Sequence, residues 1–211
     1  MTTPSTPKKN IVFDFGGVLF RWHPPSFLAR VWPHRAANEI EGKAVALEFF
    51  ENYRGAWGDF DRGVAEAHEV IDRIVARTGW PKEEVEAVVA AIPAELELQV
   101  ETVKLIEELK AAGHRLFFLS NMPKPMATHL ETNFPLHEWF EGGVFSGRVN
   151  FVKPGPEIFE LACKHFGVTP ESCVFLDDHP ENIDAAKALG WDALLFKSAT
   201  DVRPALMALV G

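Results

Sequence analysis

The sequence predicts an α/β fold, a three-layer parallel-sheet core interrupted by an all-helical insert. Three observations carry that expectation. Short apolar runs at residues 11–13, 115–119, 173–176 and 192–196 have the composition of strands buried on both faces. Each run leads through a turn into a helical pattern, the alternation that builds parallel sheets. Residues 20 to about 97 show helical periodicity and no clear strand, which makes them the insert.

The first run reads Asn-Ile-Val-Phe-Asp-Phe-Gly-Gly-Val over residues 10–18. Ile11, Val12 and Phe13 form the strand and deliver Asp14 to a glycine turn at Gly16 and Gly17. A carboxylate at the end of a buried strand is costly unless something compensates it. A metal ion is one compensation and nucleophilic attack one use for it. An aspartate that merely caps a turn or helix fits this segment equally well.

In the insert, Val64, His68, Ile71, Ile74 and Val75 lie at helical spacing, and so do Val85, Val88, Val89 and Ile92 after the helix start at Trp80-Pro81. His68 is expected in the core, and His23 on a solvated loop or facing the crevice. Trp22, Trp32, Tyr53, Trp57 and Phe60 give the insert an aromatic bias, read mainly as packing between short helices, with some facing a ligand. Pro93 marks the return to the core. Leu98, Thr102, Leu105, Ile106 and Leu109 line a helix that ends at Gly113. Ile158, Ala162 and Phe166 mark another, stopped by Gly167. A helix from Pro180 to near Gly190, a strand at 192–196 and a helix at about 201–210 close the chain.

Bulk properties narrow the function. The 211 residues carry a formal net charge of −9, which disfavours nucleic acid and anionic membranes as partners. Cys163 and Cys173 have no metal-ligand spacing and read as free thiols in a reducing, cytoplasmic compartment. Residues Met1 to Asn10 read as a polar, flexible tail without a signal-peptide core, and no segment is long and apolar enough to span a membrane.

Three further segments place chemistry at strand ends. Residues 115–121 end in Ser120 and Asn121. Residues 151–159 hold Lys153 before a proline-marked helix start, and residues 173–182 end in the pair Asp177–Asp178. In open parallel sheets ligands bind beyond the C-terminal strand ends, so Asp14, Ser120, Lys153 and the acidic pair can converge on one crevice. Taken singly, each has a plainer reading: Ser120 as a helix cap, Lys153 as a surface lysine, Asp177–Asp178 as a solvated turn.

Together, Phe-Asp-Phe-Gly-Gly-Val-Leu, Leu-Ser-Asn, Lys-Pro-Gly-Pro-Glu-Ile-Phe and Leu-Asp-Asp-His-Pro-Glu-Asn-Ile resemble, in order, the four motifs of the haloacid dehalogenase-like hydrolase superfamily. The resemblance spans essentially the whole chain. It is closest to the subgroup with a helical cap after the first motif, and within it to sugar-phosphate phosphatases with glycine two residues after the nucleophile.

The resemblance implies a Rossmann-like core at residues 1–19 and 98–211 and a helical cap at 20–97. It implies an Mg²⁺-dependent phosphatase that hydrolyses a small phosphorylated metabolite, sugar 1-phosphates among them, through an aspartyl-phosphate. Asp14 would be the nucleophile. Asp14, the Gly16 carbonyl and Asp178 would hold the metal, with Asp177 binding it directly or through water. Ser120 and Lys153 would bind and neutralise the phosphoryl group. Asn121 and Asn182 would orient the loop and the acidic pair. The protein would act as a monomer or homodimer.

One position departs from the pattern. Most phosphatases of this superfamily carry an acid/base aspartate where this chain has Gly16, so the loop retains a metal-binding carbonyl and lacks a proton donor. That favours substrates whose leaving oxygen needs little protonation. The alternatives are a metal-independent 2-haloacid dehalogenase and a catalytically weak protein that binds phosphate compounds or a partner.

Overall fold

The computed structural model describes residues 8–211. Most of the expected tail, residues 1–7, lies outside the described residues. Strand β1 (Asn10–Phe13) is followed by five helices: α1 (Pro24–Val31), α2 (Glu39–Phe50), α3 (Gly55–Arg62), α4 (Ala67–Thr78) and α5 (Lys82–Glu95). Then come α6 (Val100–Ala111), β2 (Leu116–Ser120), α7 (Lys124–Asn133), α8 (Leu136–Trp139), β3 (Gly142–Phe145) and α9 (Ser146–Val149). The chain closes with α10 (Pro156–Phe166), β4 (Cys173–Asp177), α11 (Pro180–Ala188), β5 (Asp192–Leu195) and α12 (Ala199–Val210).

The five strands form one sheet in the order β3-β2-β1-β4-β5, parallel throughout. Side chains alternate across it and split the apolar residues by face. Ile11, Phe13, Leu116, Phe118, Val174 and Leu176 pack on one side with α6 and α12, in a cluster that continues without a break into the helical insert. Val12, Phe117, Leu119, Val144 and Phe175 pack on the other against Ile158, Phe159 and Ala162 of α10 and Ile183 of α11. This makes the three layers that the apolar runs predict. Phe13 is level with both Phe118 and Leu176, so Asp14, Ser120 and Asp177 leave the sheet at one edge.

The insert joins the core by two connections laced together. Phe20 and Leu98 form an antiparallel bridge, with Arg21 N donating to Glu97 O (2.8 Å) and Gln99 N to Leu19 O (2.8 Å). Beside it the buried carboxylate of Glu95 accepts from Arg21 and Arg30.

Several local expectations need correction. Helix α5 runs past Pro93 to Glu95, so the return to the core begins at Leu96. A proline in the last turn removes one donor and leaves the helix intact. Helix α4 starts at Ala67 and buries Val70, Ile71 and Ile74; His68 and Val64 are exposed because they lie before or at its first turn, outside the packed face. Helix α7 is the helix expected after the run at 115–119, whereas strand β3 and the short helices α8 and α9 lie outside the expected pattern.

Candidate active site

The site forms where the parallel strands end. The Asp14 amide donates to Leu176 O (2.9 Å), which fixes the residue between β1 and β4. Its Oδ1 accepts from the Phe15 amide (2.7 Å) and lies 2.9 Å from Lys153 Nζ. No described residue bonds Oδ2, and Asp14 lines the cavity above.

Lys153 is buried, and its three donors are all engaged, with Leu119 O (2.9 Å), Asp177 Oδ2 (2.6 Å) and Asp14 Oδ1. Asn121 clamps its backbone, Nδ2 donating to Lys153 O (2.9 Å) while Lys153 N donates to Asn121 Oδ1 (2.9 Å). Both Asp177 oxygens accept from Asn182 Nδ2 (3.0 Å each), and Oδ1 also accepts from His179 N (2.8 Å). Asp177 is thereby saturated by protein donors. Asp178 is the opposite case: its Oδ1 is buried and has no hydrogen-bond partner.

Carboxylate oxygens of Asp14, Asp177 and Asp178 lie within 4.8 Å of one another. One lysine faces three acids. Burial pushes the Asp14 carboxyl up to about 8, outweighing Lys153, with Asp177 and Asp178 adding to the rise. Asp178 is raised too, again mainly by burial. Burial works against the Lys153 charge, yet Asp14 and Asp177 hold it above the usual lysine range. The uncompensated negative charge, the orphaned Asp178 oxygen and an all-oxygen donor set suit a hard cation such as Mg²⁺. Of the three clustered acids, Asp14 and Asp178 line the cavity and could hold it, while Asp177 is already engaged by Lys153, Asn182 and His179 N.

The two glycines of the turn differ. Gly17 adopts φ +72°, and a Cβ there would lie 2.3 Å from Asp178 Oδ2, so only glycine lets the turn pass under that carboxylate. Gly16 lines the cavity in an ordinary backbone conformation, and a Cβ would meet Trp22 at 3.5 Å, a normal contact. A side chain is absent at 16 although the backbone would accept one.

Ser120 ends β2 beside Asn121, fully buried, with an unpartnered Oγ. It lies behind the cavity wall, not in it. The cavity, about 390 Å³, runs between the strand ends and the insert. Trp22, Tyr53, Trp57, Ile92, Leu96 and Met126 supply its apolar wall. Trp22 Nε1 donates to Tyr53 Oη (3.0 Å), and the Tyr53 ring meets His179 edge-on at 5.8 Å, so the insert touches the acidic loop directly. Trp32 and Phe60 pack only in the core, so more of the insert aromatics reach the cavity than the expected core packing of most of them allows. His23 caps α1 through Ser26 and stays half-exposed outside the cavity.

Sequence reasoning passed over Asp61, which lines this cavity with 4 % of its surface exposed. Its signal was an acid set directly after Trp57 and Phe60 on an aromatic helix face. It also passed over Ser146, whose hydroxyl accepts from Met122 N (2.8 Å) and donates to Asp61 O (2.5 Å).

Residues 8–190 match the family described as haloacid dehalogenase-like hydrolase. The chain is 27% identical over 208 residues to a sesquiterpene phosphatase of Aspergillus oryzae, covering 98% of each. It is 27% identical over 210 residues to a D-ribitol-5-phosphate phosphatase of Bacteroides thetaiotaomicron, covering 96% of this chain and 98% of that one. A magnesium complex of a HAD family enzyme from Bacteroides thetaiotaomicron shares the fold with a TM-score of 0.67 at 22% identity, over 91% of this chain and 94% of that one. With its sheet, its strand-end residues and 183 of its positions inside the family's span, the chain belongs to the haloacid dehalogenase-like hydrolases and is an enzyme of their phosphatase type.

Proposed function

We propose that the protein is an Mg²⁺-dependent phosphatase that releases phosphate from a small phosphorylated metabolite through an aspartyl-phosphate on Asp14. The observation that carries this reading is the charge arrangement: Lys153 bridges Asp14 and Asp177, while Asp178 keeps a buried oxygen without a partner. A dehalogenase, which needs no cation, has no use for that orphaned carboxylate.

Asp14 attacks phosphorus through Oδ2, the oxygen free of protein partners. Its Oδ1 is restrained by Phe15 N and Lys153, so the attacking atom is oriented before substrate arrives. Lys153 neutralises charge on the nucleophile and on the transferring group. Ser120 is fully buried behind the cavity wall and does not meet the phosphoryl group directly; at the end of β2 it is Asn121 that lines the cavity. Asp177 holds Lys153 and is itself held by Asn182. Asp14, the Gly16 carbonyl and Asp178 would hold Mg²⁺, which would supply the positive charge an anionic nucleophile needs to approach an anionic substrate. The helical insert acts as the cap, excluding water and reading the rest of the substrate.

For the substrate body, sugar 1-phosphates follow from the family resemblance. The wall of Trp22, Tyr53, Trp57, Ile92, Leu96 and Met126 favours a second class, monophosphates of apolar alcohols, a reading in keeping with the Aspergillus relative's name as a sesquiterpene phosphatase. The test is phosphate release, with and without Mg²⁺, from p-nitrophenyl phosphate, sugar 1-phosphates, polyol phosphates and prenyl monophosphates, with 2-haloacids as the competing chemistry. Halide release without Mg²⁺, and no phosphate from any ester, would sink the proposal.

A further inference from the structure

Position 16 offers no proton donor, but the insert brings a carboxyl to the same cavity. Asp61, in the last turn of α3, lines it together with Asp14 and Lys153. None of the described residues bonds the Asp61 carboxyl, although its neighbour Arg62 pairs with Asp59 (2.9 Å). The residue is anchored through its backbone instead. Asp61 O accepts from Ser146 Oγ (2.5 Å), Arg62 O from Asn150 Nδ2 (2.9 Å) and Gly63 O from Lys124 Nζ (2.9 Å). Three successive carbonyls at the end of α3 are thus gripped by side chains of the core. Gly63 packs so tightly that a Cβ there would stand 2.0 Å from Gly147 O. The helix end is fixed in height over the strand ends, and the Asp61 side chain with it.

We propose that Asp61 is the general acid and base of this phosphatase, doing from the cap what the missing residue at position 16 would do from the loop. The inference rests on the phosphatase reading. The charged and titratable groups around the carboxyl are Arg62 on its own helix, Tyr53 from the preceding turn, and Asp14 and Lys153 from the core. Burial dominates them and pushes Asp61 up to about 8, so the group carries a proton at neutral pH. Tyr53 is a poorer donor, because burial drives its phenol further above an already high range.

In the first step Asp14 Oδ2 bonds to phosphorus, the bond from phosphorus to the leaving oxygen breaks, and the Asp61 proton passes to that oxygen. The products are a neutral alcohol, an aspartyl-phosphate and the Asp61 carboxylate. In the second step the carboxylate takes a proton from water as its oxygen bonds to phosphorus. The bond to Asp14 breaks, inorganic phosphate leaves, and Asp61 is again protonated. With that acid present, the substrate restriction that Gly16 alone implies is lifted.

The test compares aryl and alkyl phosphates over a range of leaving-group pKa. Wild type should show a shallow dependence of kcat/KM on leaving-group pKa. Asp61→Asn, a neutral isostere of the protonated acid, should lose on the order of 10²–10⁴-fold on alkyl phosphates and far less on dinitrophenyl phosphate. With the activated ester it should accumulate phosphate on Asp14, detected by intact mass after acid quench, because no base activates water. Asp61→Glu should recover part of the alkyl phosphatase rate. A steep dependence in wild type, or an equal loss by Asp61→Asn on every ester with no trapped phosphoenzyme, would overturn the assignment. Absence of Mg²⁺-dependent release from even dinitrophenyl phosphate by wild type is a different result, and it is the phosphatase reading that then fails.

Discussion

Asn121 holds Lys153 by both sides of its peptide, donating to its carbonyl and accepting from its amide, each at 2.9 Å. The lysine therefore reaches Asp14 and Asp177 from a backbone locked to the end of β2. Its four-carbon stem would otherwise have rotameric freedom to lose on each encounter with substrate. Asn121→Ala should lower kcat by about 10- to 100-fold with a much smaller change in KM, because it loosens a group that acts on the transition state. Steady-state kinetics on p-nitrophenyl phosphate checks this. An equal rise in KM with kcat intact would assign Asn121 to substrate binding instead.

Asp14→Asn keeps the shape of the nucleophile and removes its charge. Turnover should fall below detection while the fold persists, since an amide at a site where burial already disfavours the charge is no burden to folding. Circular dichroism and phosphate release report the two halves of the prediction. A folded Asp14→Asn protein with undiminished turnover would remove Asp14 from the chemistry.

Mg²⁺ should raise the melting temperature of the wild type, since a ligand that binds only the folded state stabilises it by mass action. Asp178→Ala should erase that increment and weaken Mg²⁺ activation, because it deletes the carboxylate with the unpartnered oxygen. Asp177→Ala should do different damage, releasing Lys153 and Asn182 and destabilising the protein even without metal. Scanning fluorimetry across an Mg²⁺ titration separates the two. Equal metal shifts in wild type and Asp178→Ala would contradict the assigned ligand.

Stability should fall as pH rises from about 4 to about 8. Asp61 holds its proton up to about 8 in the folded protein, against an ordinary value of 3.8, so across that interval the folded state binds more protons than the unfolded one. Each unit of the shift is worth about 1.4 kcal/mol. Below the interval the contribution is complete, and above it the contribution is lost. Asp14, raised to about 8 as well, acts in the same direction. In Asp61→Asn the slope should shrink without vanishing, and the variant should equal or exceed wild type in urea resistance at pH 8. A slope identical to wild type would show that the carboxyl is not buried as a neutral acid.

Strand ends were legible because chemistry and hydrophobic pattern coincide there: Asp14, Ser120 and Asp177 each terminate a continuous apolar run. Lys153 stood out through its Pro-Gly-Pro neighbour. Strand β3 was not legible. It begins Gly142-Gly143, and Gly143 is needed because a Cβ would fall 2.1 Å from the Phe118 ring, so only Val144 and Phe145 are left to signal a strand, too short a run to stand out. His68 fitted the helical period of α4 but precedes its packed turns, which periodicity alone cannot reveal. Asp61 was invisible for a tertiary reason. Its depth comes from the docking of α3 on Ser146, Asn150 and Lys124, residues separated from it by more than sixty positions.

That docking puts every acceptor on the main chain at the end of α3 and at the glycine that follows it, and every donor on side chains of the core. A carbonyl is the same whatever residue carries it. Substitutions on the exposed face of α3 and at cavity-facing positions on its neighbours therefore leave the hydrogen bonds of the seal between insert and sheet in place. The side chains this seal requires are those of Ser146, Asn150 and Lys124, none of which lines the cavity, together with the bare backbone of Gly63. Such a division lets a lineage retune what the enzyme accepts without rebuilding how it shuts.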